Sequence, residues 1–200
     1  MTTSAPDAGS SAAPDAALHP RIRELLDLLD ASRAELREAV DEVPAVLRER
    51  RPAPDRWCVA EVLEHLGLVE RRIAQVLAAR FAAARAEGLG PERETSSVRE
   101  RVPNALLQDR TQKVVAPEPL QPTGTLGAAR AWDALEEARA ALNATVRSAD
   151  GLALGELTHQ HPRLGVLDLY QYIGSVGGHE SRHAAQVREI ADAFIAADGG

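Results

Sequence analysis

Cysteine is all but missing from this 200-residue chain, with Cys58 the sole example. That excludes an intramolecular disulfide and gives no reason to expect an oxidising compartment, so a cytoplasmic location is expected. Aromatic residues are scarce, at 3% against 44% apolar residues in all. A core must therefore be assembled from alanine, leucine and valine, which favours helices packed closely on helices. Nowhere does the chain approach the ~20 continuous apolar residues of a membrane span, and residues 1–17 lack the basic and apolar stretches of an export signal. No membrane association is expected. A basic stripe is lacking too: the formal net charge is -7, and the arginines are scattered among Asp and Glu. Phosphate binding needs a local basic field, which argues against a nucleic-acid partner.

What is there suffices for one hydrophobic core. Residues 1–17 show no apolar periodicity and predict a disordered tail, leaving residues 18–197 as a single domain. Pro20 suits the first turn of a helix over 20–47, whose apolar residues Ile22, Leu25, Leu26, Leu29, Leu36, Val40 and Val43 recur at helical spacing. Pro52 and Pro54 break the pattern. A second helix follows, with Val59, Val62, Leu63, Leu66, Val69, Ile73, Leu77 and Phe81 on one face and Gly88 and Gly90 as its stop. Residues 88–123 are rich in Pro, Gly, Ser, Thr and charge, and predict a long crossover or a lid. Thr123 or Thr125 is the expected cap of a third helix carrying Leu126, Trp132, Leu135, Leu142 and Val146, which Asp150-Gly151 ends. A fourth helix is expected from about Val166 to Ala196. Together these predict an all-α four-helix bundle.

The fourth helix holds the chief anomaly. Its inward series Tyr172, Val176, His179, His183, Val187, Ile190 and Phe194 puts two histidines in core positions. Residues four apart stack on one helix face, so two imidazoles can share one ion. His65, on the border of the second helix's apolar stripe, is the natural third ligand. Three protein ligands with a vacant fourth position mark catalytic metal sites. The competing reading is a set of core histidines satisfied by hydrogen bonds, which requires a partner for every buried ring nitrogen. Gly177 and Gly178 thin the helix before His179 and would admit a ligand or a close neighbour.

Trp57-Cys58-Val59-Ala60-Glu61-Val62-Leu63-Glu64-His65-Leu66 resembles the "W-s-x-x-e-v-l-x-H-l" opening of the second helix in the DinB/YfiT-like superfamily. The segments His161-Pro162-Arg163-Leu164-Gly165 and His179-Glu180-Ser181-Arg182-His183-Ala184-Ala185-Gln186 are similar to its fourth-helix signature, and the likeness covers about residues 20–196. The resemblance implies an up-down-down-up bundle with a long crossover between helices two and three. It also implies a divalent metal on His65, His179 and His183. Cys58 departs from the family's Ser or Thr at the helix cap.

Around that centre, Glu61 is a candidate to orient His65 by accepting its other ring N–H. Alternatively, it is a solvated charge. Gln186, Tyr172 and His161 are candidates for the pocket wall, with ordinary packing as the alternative; His159 and His19 are expected to pack or cap without metal. Cys58 is either a nucleophile with a lowered pKa or a buried stand-in for the cap. Zinc or nickel leads the metal candidates, ahead of iron, copper and manganese. The resemblance implies an enzyme that activates a low-molecular-weight thiol for S-transfer or isomerisation on a small-molecule substrate. A metal-dependent hydrolase and a non-catalytic, stress-related metal-binding bundle are the alternatives. Exposed apolar residues such as Leu28 would suit a homodimer.

Overall fold

The computed structural model of the chain describes residues 18–111 and 114–198, so the expected tail at 1–17 lies outside the described residues. α1 spans Pro20–Asp41 with proline in its first turn, and His19 Nδ1 accepts the Arg21 N–H at 3.3 Å. It stops short of the expected residue 47. Pro44 has no N–H to donate and drives the residue before it out of helical backbone, so only a single 3-10 turn, Ala45–Leu47, follows. α2 spans Val59–Ala86. It ends as expected at Gly88, whose φ of 77° takes the left-handed conformation. Gly88 N–H donates to the Arg85 carbonyl and Leu89 N–H to the Ala84 carbonyl, closing the last turn.

The described residues between α2 and the next long helix are held by tethers. Arg21 holds its first part through Glu92 (3.0 Å) and Ser96 (2.6 Å). A short helix α3, Asn104–Gln108, lies against the last long helix. Farther along, the Glu64 carboxylate accepts Thr123 N–H (3.0 Å), Thr123 Oγ1–H (2.7 Å) and Gly124 N–H (3.2 Å). Thr123 is thereby diverted from the cap expected of it. α4, Ala128–Ser148, starts after Gly127 instead, where Glu49 Oε1 accepts the Ala128 N–H at 3.0 Å.

The chain is mostly helical, as expected, with one small sheet besides. β1 (Thr158–His161) and β2 (Gly165–Asp168) form an antiparallel hairpin, with His161 opposite Gly165 and Thr158 opposite Asp168. Gly165, at φ 75°, supplies the left-handed residue at the turn. α5, Leu169–Asp198, therefore starts three residues later than Val166. Asp168 and Gln171 fix the start reciprocally: Gln171 N–H donates to Asp168 Oδ1 (2.9 Å) and Asp168 N–H to Gln171 Oε1 (3.0 Å).

α1 packs along α5, and α2 along α4. Both pairs advance in step. Leu28 meets Gly177, Ser32 meets Glu180, and Glu42 meets Arg188, while Gly67 meets Leu135, Glu70 meets Arg139, and Arg85 meets the Ser148 carbonyl. Two apolar clusters fill the interior, one around Leu25, Leu77, Leu142 and Ile173, the other around Leu36, Leu63, Leu135 and Val187. Between them lies an ionic layer with one member from each long helix. Arg33 Nε donates to Glu180 Oε1 (2.6 Å) and Nη2 to Glu70 Oε1 (2.9 Å). Arg139 Nη2 donates to Glu70 Oε1 (2.8 Å) and Glu180 Oε2 (2.7 Å). Burial opposes the Arg139 charge, but hydrogen bonds and the charges of the two carboxylates outweigh it and raise its pKa. Among the described residues no helix is long and apolar enough to cross a membrane.

Candidate metal centre

α2 delivers His65, and α5 delivers His179 and His183 one turn apart. One ring nitrogen from each lies within 4.8 Å of the others. His179 Nε2 is the middle of the group, 3.4 Å from His65 Nε2 and 3.1 Å from His183 Nε2.

The far sides of two rings fix the tautomers. His65 Nδ1 is 2.7 Å from the Leu120 carbonyl, which can only accept, so Nδ1 carries the proton and Nε2 a lone pair. His183 Nδ1 is 2.9 Å from Gln186 Oε1 and is likewise the donor. Two lone pairs thus face His179 Nε2, which has at most one proton to offer. An interior acceptor is left over, an excess of the kind that a divalent cation would answer. Burial lowers the His65 pKa and lowers that of His183 well below its ordinary value. Burial, then the charges of His65 and Arg182, lower the His179 pKa to about 3. All three imidazoles are therefore neutral near pH 7, the form a metal requires.

The cluster faces a cavity of about 660 Å³, within the range of small-molecule sites. Its wall includes Trp57, whose ring centroid lies 5.1 Å from that of His65. Val114 to Pro117 and Leu120 come from the crossover. That segment is both a connection and a wall of the site.

Gln186 and His161 lie on the wall. His161 sits on β1, and its Nδ1 accepts the N–H groups of Arg163 and Leu164 at 3.2 Å each, which leaves the proton on Nε2. Tyr172 is elsewhere: it is buried in the first apolar cluster and stacks on His159 at 4.0 Å. Glu61 does not reach His65. Its carboxylate is taken by Arg51 and by the Cys58 N–H (2.9 Å), because it stands at the third position of α2, where exposed backbone donors and the arginine converge. The orienting acceptor for His65 is the Leu120 carbonyl instead, and a backbone group leaves no mark in sequence. Cys58 is buried, and burial raises its thiol pKa, the reverse of an activated nucleophile. Gly177 and Gly178 receive close neighbours rather than a ligand: a Cβ there would lie 2.6 Å from Leu28 Cδ2 and 2.6 Å from Asn104 Oδ1 respectively. Leu28 is accordingly half-buried over α5.

The family model described as the DinB superfamily matches residues 28–187. An uncharacterised Bacillus subtilis (strain 168) protein, YuaE, is 29% identical over 145 residues, covering 70% of this chain and 81% of that protein. No solved structure matches the chain.

Proposed function

This chain belongs to the DinB superfamily, and on that premise we propose that it is a divalent-metal enzyme acting on a small molecule held in the cavity beside His65, His179 and His183. The observation that carries this reading is the unsatisfied meeting of three Nε2 atoms, two of them with tautomers fixed from behind. The up-down-down-up order of the long helices belongs to the same reading, supported by the in-step contacts of α1 with α5 and of α2 with α4.

Zinc or nickel would be held by the three Nε2 atoms and would supply Lewis acidity that lowers the pKa of a thiol or water presented to it. The protein's own part is orientation and exclusion. Leu120 and Gln186 hold two rings in register. Apolar residues such as Val69, Ile73 and Val176 displace water from the cavity wall. His161, with its proton on Nε2, is placed to donate to a substrate atom entering from the hairpin side. The size of the cavity favours catalysis over a purely structural ion, whose coordination would be closed by protein groups. S-transfer from a low-molecular-weight thiol is the reaction class we assign.

Elemental analysis of the purified protein and of its His65→Ala, His179→Ala and His183→Ala variants tests the metal. One equivalent in the parent and loss of at least about 90% in each variant are expected. A parent that stays metal-free after incubation with zinc and with nickel would sink the reading. For the chemistry, an aryl halide and a simple thiol should react faster with loaded than with stripped protein.

A further inference from the structure

From the imidazoles an apolar lane leads along the cavity wall. On α2, Val69 and Ile73 follow His65 at intervals of four residues and line the same wall, because side chains four apart stack on one helix face. Arg71 and Arg72, between them in sequence, are exposed and take no part in it. On α5, Val176 lies three residues before His179, is buried, and lines the cavity too. Ile73 and Val176 both belong with the apolar cluster around Leu25 and Leu77, whereas Trp57 packs on the other cluster. The cavity therefore has the histidines between an end at Trp57 and an end at Ile73. Leu107 roofs the lane from α3: it is buried, and a Cβ added to Gly178 would lie 2.8 Å from its Cδ1. Ser175, on the same wall, has its hydroxyl proton committed to the Tyr172 carbonyl at 2.7 Å.

Water against such a wall gains few hydrogen bonds, and an apolar group that replaces it is favoured in proportion to the area covered. Ile73 stands eight positions beyond His65. That is about 12 Å of helix, the reach of an extended chain of roughly eight to ten carbons. We infer that the cavity takes a medium-chain alkyl or acyl compound, whose polar head meets the three imidazoles and whose uncharged tail lies along Val69, Ile73 and Val176. This rests on the three-histidine reading above and adds the substrate class. The cavity of about 660 Å³ has room for both parts of such a molecule. Charged side chains of the wall have other engagements: Arg56 and Arg110 bind Glu189, Arg182 donates to the carbonyls of Leu107 and Asp109, and Arg163 is exposed at the hairpin turn.

The test measures binding of straight-chain hydroxamates, from acetohydroxamate to dodecanohydroxamate, to zinc-loaded protein by titration calorimetry, at concentrations too low for the longer members to form micelles. Their metal-chelating head is the same throughout, so only the tail varies. Affinity should rise about two- to fourfold for each added methylene, the fold-change of burying that group, and level off at roughly eight to ten carbons, where the lane ends. Ile73→Trp fills the far end; octanohydroxamate should then lose about tenfold or more, while acetohydroxamate binds as before. Val69→Thr keeps the shape of the side chain and serves where the larger change disturbs folding: it should weaken octanohydroxamate about threefold and leave acetohydroxamate unchanged. Affinity that is flat along the series, or that climbs without a plateau and ignores both substitutions, overturns the inference. Zinc content measured on the same samples separates the failures. Without zinc the three-histidine reading has failed, whereas bound zinc with a flat series overturns only the tail site.

Discussion

At His183 the choice of ring nitrogen is made by Gln186, three residues on, whose Oε1 accepts the Nδ1 proton at 2.9 Å. Removing that acceptor frees the ring to rotate or to change tautomer, at a cost of about 10–100-fold in metal affinity for such partners. Gln186→Leu should therefore weaken zinc binding by that order in a chelator competition, while Gln186→Glu, which keeps an acceptor, should hold near the parent value. Equal affinity for the leucine variant would remove Gln186 from the site. His65 has no such handle, since its partner is the Leu120 main chain. Protection there comes indirectly, through the three hydrogen bonds by which Glu64 pins Thr123 and Gly124.

Among the elements, α5 carries the tightest constraint. Gly174, Gly177 and Gly178 weaken a helix on propensity alone by about 1 kcal/mol each relative to alanine, yet they let α1 and the crossover approach closely. At Gly174 an added Cβ would stand 2.4 Å from Val102 Cγ2, on a side chain with little rotameric freedom. Overpacking of that kind costs about 1–3 kcal/mol, so Gly174→Ala should lower stability in urea despite the better helix former. Gly90→Ala has nothing within 4 Å to meet, and should change stability by no more than about 0.5 kcal/mol. Equal denaturation midpoints for the two variants would contradict the packing seen here. Periodicity located the four long helices closely, because burial of one face is written into every third and fourth residue. Boundaries were missed where a local rule competed: Pro44 ended α1 early, and the Asp168–Gln171 pair set the start of α5. That second signal is present in the sequence as D-x-x-Q, Asp168 to Gln171. The hairpin was also missed, because four-residue strands give too short a pattern to register.

For the molecule as a whole, the ionic layer of Arg33, Glu70, Arg139 and Glu180 is the costliest point to disturb. Glu180 is 0% exposed and Glu70 1%, and deleting one partner strands the charge of another. Glu180→Ala should lose about 3–5 kcal/mol, readable as a large fall in the denaturant midpoint; a loss within 1 kcal/mol would show the layer to be dispensable. The three imidazoles contribute to the response to acid, alongside His159 and His161, whose pKa values burial also lowers. Their folded pKa values lie below the ordinary 6.5, that of His179 at about 3. Above pH 6.5 both folded and unfolded chains hold them neutral. As pH falls from there toward 3, the unfolded chain takes up protons that the folded chain refuses, so stability declines. Metal-stripped protein should show a melting temperature that drops through this window, and His179→Ala should flatten the drop. A flat profile in the stripped parent would argue that the rings are not enclosed.

The amino-acid order alone determined the helix faces, the one-turn spacing of His179 and His183, and the placing of His65 on another helix, because these are local periodicities that every helix of this geometry obeys. Tertiary structure decided the rest. Which carboxylate meets which arginine, which carbonyl turns His65, and which apolar side chains share one cavity depend on residues far apart in the chain. In an acidic, arginine-rich sequence many such pairings are chemically equivalent until packing selects one.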